Sequence, residues 1–148
     1  MRRNENDCLT FKLKKMETGF IKIVMEDGKR PSVEAEFVNN TLWVNKLQIG
    51  MLFNCFPQKI TMNLLSIFKN GLLREPEVTY LRRYIYKGNE CQRIYYNMDV
   101  LIFLSYRIGT REAQVFREFI NDSFREHVRN KNKPKTSKII WISPPCAN

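Results

Sequence analysis

Cys91 and His127 are the closest this chain comes to a nucleophile and its base, a thiol that an imidazole deprotonates before it attacks an electrophilic centre. Cys91 sits in a strand-like segment, and nothing in the sequence brings the single histidine beside it. The four cysteines, at positions 8, 55, 91 and 146, have no CxxC spacing, whereas structural zinc sites draw their ligands from closely spaced pairs. Reduced thiols of a cytoplasmic protein fit this scatter better than a four-cysteine metal site. Phosphate loops need glycines in a fixed order, and neither GxxxxGK[ST] nor GxGxxG occurs among the six glycines. Asp99 stands two residues after Asn97, where its charge favours a helix N-terminus rather than acid–base work. The sequence predicts no catalysis, no metal and no cofactor.

What remains is chemistry of binding. Gln58, Lys59, Thr61 and Asn63 form a polar run whose amides, hydroxyl and ammonium can hydrogen-bond base edges or phosphates. Phe56 and Met62 interrupt it with groups that cannot. Arg82, Arg83, Lys87 and Arg93 form a second, basic set suited to phosphate contacts beside a duplex, or to solvation of an ordinary hairpin. The formal charge is +10, unevenly spread. Residues 1–15 carry five basic and two acidic side chains and residues 125–138 six and one, so the middle, 16–124, keeps 14 basic against 12 acidic. Basic ends attract phosphate without reading sequence, or simply keep the protein solvated.

These two sets need elements to hold them. Phe20 to Met25 and Val33 to Val38 alternate with strand period around the turn pair Asp27-Gly28, and Asn39-Asn40 marks a tight turn before a short strand, Thr41 to Val44. The acids Glu34 and Glu36 fall on one strand face, toward solvent. From Asn45, an N-cap, the period becomes helical: Leu47, Ile49, Leu52 and Phe53 supply an apolar face and Asn54 a left-handed end. A second helix runs from Pro57 to Asn70, with Ile60, Leu64, Ile67 and Phe68 inward and Gly71 beyond its end. Two short helices around an Asn form a helix-turn-helix candidate that places Gln58 to Asn63 on the recognition helix. Residues 81–96, with the turn Lys87-Gly88-Asn89-Glu90, read as a basic β-hairpin wing whose aromatic residues pack inward. Asn97 caps an apolar helix that stops at Gly109, and Thr110 opens another to about Val128, with Val115, Phe116, Phe119, Ile120 and Phe124 as a stripe suited to core or dimer packing.

The 148 residues, 43% apolar and 27% charged, suffice for a packed core, and the expected class is α+β: a small N-terminal antiparallel sheet, a helix-turn-helix with a β-hairpin wing, and two C-terminal packing helices. The longest apolar run, Val100 to Leu104, is far short of the roughly 18 residues of a membrane span, so no membrane partner is expected. Three regions follow: a basic extension, 1–19; the folded domain, 20–128; and a polar, proline-interrupted basic tail, 129–148.

The stretch TLWVNKLQIGMLFNCFPQKITMNLLSIFKNGLL resembles the helix-turn-helix opening of the RhuM virulence-protein family through Trp43, Gln48, Leu52, Phe53, Gln58, Ile60, Ile67, Phe68, Lys69 and Gly71. A second block, YYNMDVLIFLSYRIGTREAQVFREFI, resembles that family's other signature through Tyr96, Asn97, Asp99, Val100, Tyr106, Arg107, Phe116 and Arg117, and also parts of phage antirepressor modules of the Bro-N and KilA-N type. The chain departs from the family pattern at Asn54, Phe56, Pro57, Met62 and Ala113. The resemblance covers about residues 41–120 and implies a DNA-binding protein of a bacterial genomic island or mobile element, with duplex DNA as partner and with a homodimer or a protein partner open. A protein-interaction module of antirepressor or toxin-accessory type is the alternative it leaves.

Overall fold

The computed structural model describes residues 18–132. The N-terminal extension, apart from its last two residues, and most of the C-terminal tail lie outside them. The class is α+β, with five helices and two small antiparallel sheets among the described residues.

β1 (Phe20–Val24) and β2 (Ser32–Glu36) pair antiparallel, with Lys22 opposite Glu34 and their charges 2.7 Å apart on the solvent face. Both strands stop short of the expected ends. Asn39 and Asn40 both adopt positive φ (53° and 59°), the backbone a two-residue I′ turn requires, and Val38 and Thr41 exchange hydrogen bonds across it. The expected strand from Thr41 shrinks to β3 (Val44–Asn45), because Thr41 is spent on closing this turn and Trp43 donates its N–H to Thr18.

Asn45 ends β3 and starts α1 (Lys46–Phe53). Its side chain accepts from the Gln48 N–H while the Gln48 side chain accepts from the Asn45 N–H, a reciprocal capping box. Asn54 turns left-handed (φ 50°), and the Cys55 N–H returns to the Gly50 carbonyl. A Cβ on Gly50 would lie 3.0 Å from the Cys55 carbonyl oxygen, so a larger residue there would crowd the turn. α2 (Pro57–Lys69) opens with proline in its first turn, where no N–H partner is needed. It closes with Leu72 N–H on the Ile67 carbonyl and Gly71 N–H on Phe68, the paired bonds of a Schellman end, with Gly71 at φ 67°.

A one-turn helix that sequence periodicity gave no sign of, α3 (Glu75–Val78), leads into β4 (Thr79–Tyr86), which pairs with β5 (Asn89–Tyr96) around Lys87-Gly88, a two-residue turn at φ 51° and 78°. β3 adds to the far edge of β5, giving the order β3-β5-β4. Then α4 (Met98–Arg107) is capped by Asn97, and α5 (Arg111–Lys131), three residues longer than expected, by Thr110. Thr110 also donates its hydroxyl to the Phe53 carbonyl, 2.7 Å away, so one side chain caps α5 and satisfies the open end of α1.

The core forms where α1, α2, α4 and α5 meet. Ile49, Phe53, Ile60, Leu64, Ile67, Val100, Leu101, Leu104 and Phe116 are buried, and the rings of Phe53 and Phe116 meet edge to face at 5.4 Å. Arg117 turns its guanidinium onto the Ser105 and Ile108 carbonyls at the end of α4, replacing the partners that the last turn lacks. Arg107 likewise reaches Ser66 on α2 at 3.0 Å. Two inward assignments, Leu47 and Phe124, fail, and Phe68 packs on the core with one side open. Leu47 is exposed, because α1 meets its neighbours through Ile49, Leu52 and Phe53; the stripe of α5 is covered at Val115 and Phe116, partly at Phe119 and Ile120, and not at Phe124.

Candidate nucleic-acid interface

In chain order β3, α1, the three-residue turn 54–56, α2, α3 and the β4–β5 hairpin form one continuous segment, and α1 is joined to the hairpin through β3 and β5, so both predicted sets of binding residues belong to this segment. Their individual placements differ from the expectation. On α2, Gln58 and Lys59 are exposed near the helix start. Thr61 and Asn63 are half-buried, and each turns back on the helix: the Thr61 hydroxyl donates to the Pro57 carbonyl (3.0 Å) and the Asn63 amide to the Lys59 carbonyl (2.9 Å). A short polar side chain mid-helix finds the carbonyl one turn earlier close by, so one donor of each is already engaged within α2, while the Thr61 hydroxyl oxygen and the Asn63 Oδ1 remain as acceptors. The ridge that faces solvent runs Gln58, Met62, Leu65, Lys69, with apolar side chains in its middle.

On the hairpin, register separates the basic residues. Arg82 pairs with Arg93 on one face, with Tyr84 opposite Cys91 and Tyr80 opposite Tyr95; Arg83 pairs with Gln92 on the other, beside Leu81, Ile85 and Ile94; Lys87 occupies the turn. Arg83 and Lys87 are exposed, while Arg82 and Arg93 are half-buried. The Arg93 guanidinium lies 5.4 Å from the Tyr84 ring centre and donates to its hydroxyl at 3.4 Å; the Lys87 ammonium lies 5.3 Å from the Tyr86 ring centre. The aromatic residues do not all pack inward. Tyr95 and Tyr96 are buried at the base beside β3, but Tyr80, opposite Tyr95 with its ring against Trp43, is still half-open to solvent, and Tyr86 at the turn end is exposed because the hairpin extends beyond what could cover it.

Charge is segregated within the described residues. Residues 45–96 hold eight lysines and arginines against Glu75, Glu77 and Glu90, a net +5, and the other described residues hold nine charges of each sign. From Asn45 to Arg74 there is no acidic side chain at all.

Between α1 and the turn lies a cleft of about 360 Å³ lined by Leu47, Gly50, Met51, Asn54, Cys55, Phe56 and Pro57. Met51 and Phe56 are 83% and 80% exposed. The Phe56 side chain cannot hydrogen-bond, and no motif in the sequence singles out Met51. The available signal was that α1 is apolar nearly all round, which leaves a surplus apolar face once one side is buried. Burial pushes the Cys55 thiol above its ordinary pKa, and the nearby Lys59 charge pulls it partly back, so Cys55 is held in its protonated, weakly nucleophilic form. Burial, and secondarily Glu75, also raises the Tyr96 phenol. His127 stands exposed near the end of α5, Cys91 lies on β5 opposite Tyr84, and among the described residues no group of three or more His, Cys, Asp or Glu side chains could hold a metal. No helix among them is long and apolar enough to cross a membrane.

Comparison of the chain with protein-family models, with curated proteins and with solved structures finds no match in any of the three.

Proposed function

We propose that this chain is a winged helix-turn-helix module that docks on duplex DNA in the bacterial cytoplasm, as a DNA-binding protein of a mobile element of RhuM type. The observation that carries this reading is the segregation of charge: the whole net charge of the described residues, +5, falls on the helix-turn-helix and the hairpin. A surface of one sign attracts the phosphate backbone, and a helix beside a β-hairpin offers one element to a groove and one to the flanking strand. Resemblance of residues 41–120 to the RhuM pattern supports the same reading.

Readout of bases rests on Gln58 and Lys59, since Thr61 and Asn63 are engaged with their own helix. Most of the binding energy therefore comes from phosphate contacts of Lys59, Arg83 and Lys87, and sequence preference is modest. The test is retention of genomic fragments in an electrophoretic assay at two salt concentrations, with and without competitor DNA. Retention that weakens steeply with salt, with a small subset of fragments surviving competition, is the expected outcome. Absence of retention at low salt would remove the DNA reading.

A further inference from the structure

We propose that the cleft between α1 and the turn into α2 is a docking site for an acidic amphipathic segment of a protein partner, which seats a bulky apolar side chain between Leu47, Met51 and Phe56 and sets its carboxylates against Lys46 and Lys59. Four observations carry this. The cleft's apolar walls are open to solvent, Met51 and Phe56 being among the most exposed apolar side chains of the described chain. Its volume, about 360 Å³, lies at the small end of the roughly 300–1,000 Å³ range of ligand pockets and suits one or two side chains better than a whole cofactor. Lys46 and Lys59 lie within two residues in sequence of cleft-lining Leu47 and Pro57, and the two helices carry no acid. Lys59 acts electrostatically on the Cys55 thiol in the cleft wall, so positive charge is felt inside it. Glu112 of α5 touches the rim through the Asn54 amide at 3.5 Å and offsets one of these lysine charges.

Charge also selects among occupants. A second copy of this chain, meeting the cleft through a two-fold axis, would set lysines against lysines. Duplex DNA offers phosphates to the lysines but no bulky apolar side chain for the cleft, whereas an amphipathic helix with acidic flanks supplies both. The site is separate from the hairpin and does not depend on the DNA reading, although a partner seated there covers Lys59 and so competes with a duplex for α2.

The experiment uses the full chain and a fluorescein-labelled peptide of Glu and Asp with Leu and Phe at helical i, i+3, i+4, i+7 positions, beside a twin with Lys at every acidic position, read by fluorescence anisotropy. The acidic peptide should bind at least about tenfold more tightly than its twin, and Met51→Asp or Phe56→Asp should each weaken it about tenfold, as truncation of a central apolar anchor does. Both positions are exposed, so these variants fold; circular dichroism checks this. Peptide should slow alkylation of Cys55 and not of Cys91, read by mass spectrometry. Arg83→Ala with Lys87→Ala should leave peptide binding intact even though it weakens DNA binding. Equal binding of the two peptides, no binding of either, unchanged affinity in the Asp variants, or loss of peptide binding in the hairpin variant would each overturn the proposal. Loss of duplex binding in Met51→Asp without peptide binding would assign the cleft to nucleic acid instead.

Discussion

Removing Arg83 and Lys87 together tests whether the position of the charge or merely its total drives association with DNA. Both side chains are exposed, one on the outer face of the hairpin and one in its turn, and neither holds the core, so Arg83→Ala with Lys87→Ala leaves the fold intact. Each phosphate contact contributes about 0.9 to the slope of log affinity against log salt, so losing two should flatten that slope by about 1.8 units. Between 50 and 200 mM salt, a fourfold change, the variant should then lose about 12-fold less affinity than the parent. The basic segments outside the described residues contribute equally to both proteins, and the difference in slope is free of them. Anisotropy titrations of a labelled duplex at four salt concentrations give the slopes. Lys29→Ala removes one charge from the β1–β2 turn, on the electrically balanced part of the molecule, and should change the slope by much less than one unit. If Lys29→Ala flattens the slope as much per charge as the hairpin variant does, the interaction follows net charge alone and the proposed interface is wrong.

Gln58→Ala should cost about 1–3 kcal/mol on a preferred duplex, the usual worth of a good amide contact to a base, while Asn63→Ala should cost much less because its amide is bonded within α2; equal losses would show that Asn63 leaves its helix on binding. Phe53→Ala should destabilise by about 3–5 kcal/mol in urea unfolding, since the ring is wholly buried against Phe116, and a loss under about 1 kcal/mol would contradict that packing. Asn45→Ala, which removes half of the capping box, should cost about 1 kcal/mol by the same measurement, with Asn45→Ser recovering most of it. Lys59→Ala removes the charge that partly offsets burial at Cys55, so the thiol pKa should rise further and alkylation at pH 8 should slow; faster alkylation would mean that loss of the lysine opens the cleft instead.

Element ends were legible in the sequence because they are settled within about four residues. Asn45, Asn97 and Thr110 cap helices with their own side chains, Asn54 and Gly71 supply left-handed ends, and Asn39-Asn40 and Lys87-Gly88 supply the positive φ values of tight turns. The α+β class and the hairpin beside a helix pair follow from those ends and the change of hydrophobic period. Which apolar residues become core was decided only in three dimensions. Leu47 and Ile49 look alike in a window of eight residues, but α2, folded back across the turn, and α5, which arrives from far along the chain, cover one and leave the other in water. The same holds for Phe116 and Phe124, eight residues apart on one helix, the first wholly buried and the second exposed. The candidate site shows this most sharply. Nothing in the sequence signalled that Gln58, Lys59, Arg83 and Lys87 would be exposed while Thr61 and Asn63 bond to their own helix; strand register divided the hairpin arginines, and the apolar cleft near Lys59 came into being only when α1 buried its other side. Caps and turns depend on bonds a residue makes with its neighbours in sequence, whereas burial and exposure depend on which distant surface meets it, and that is a property of the folded chain.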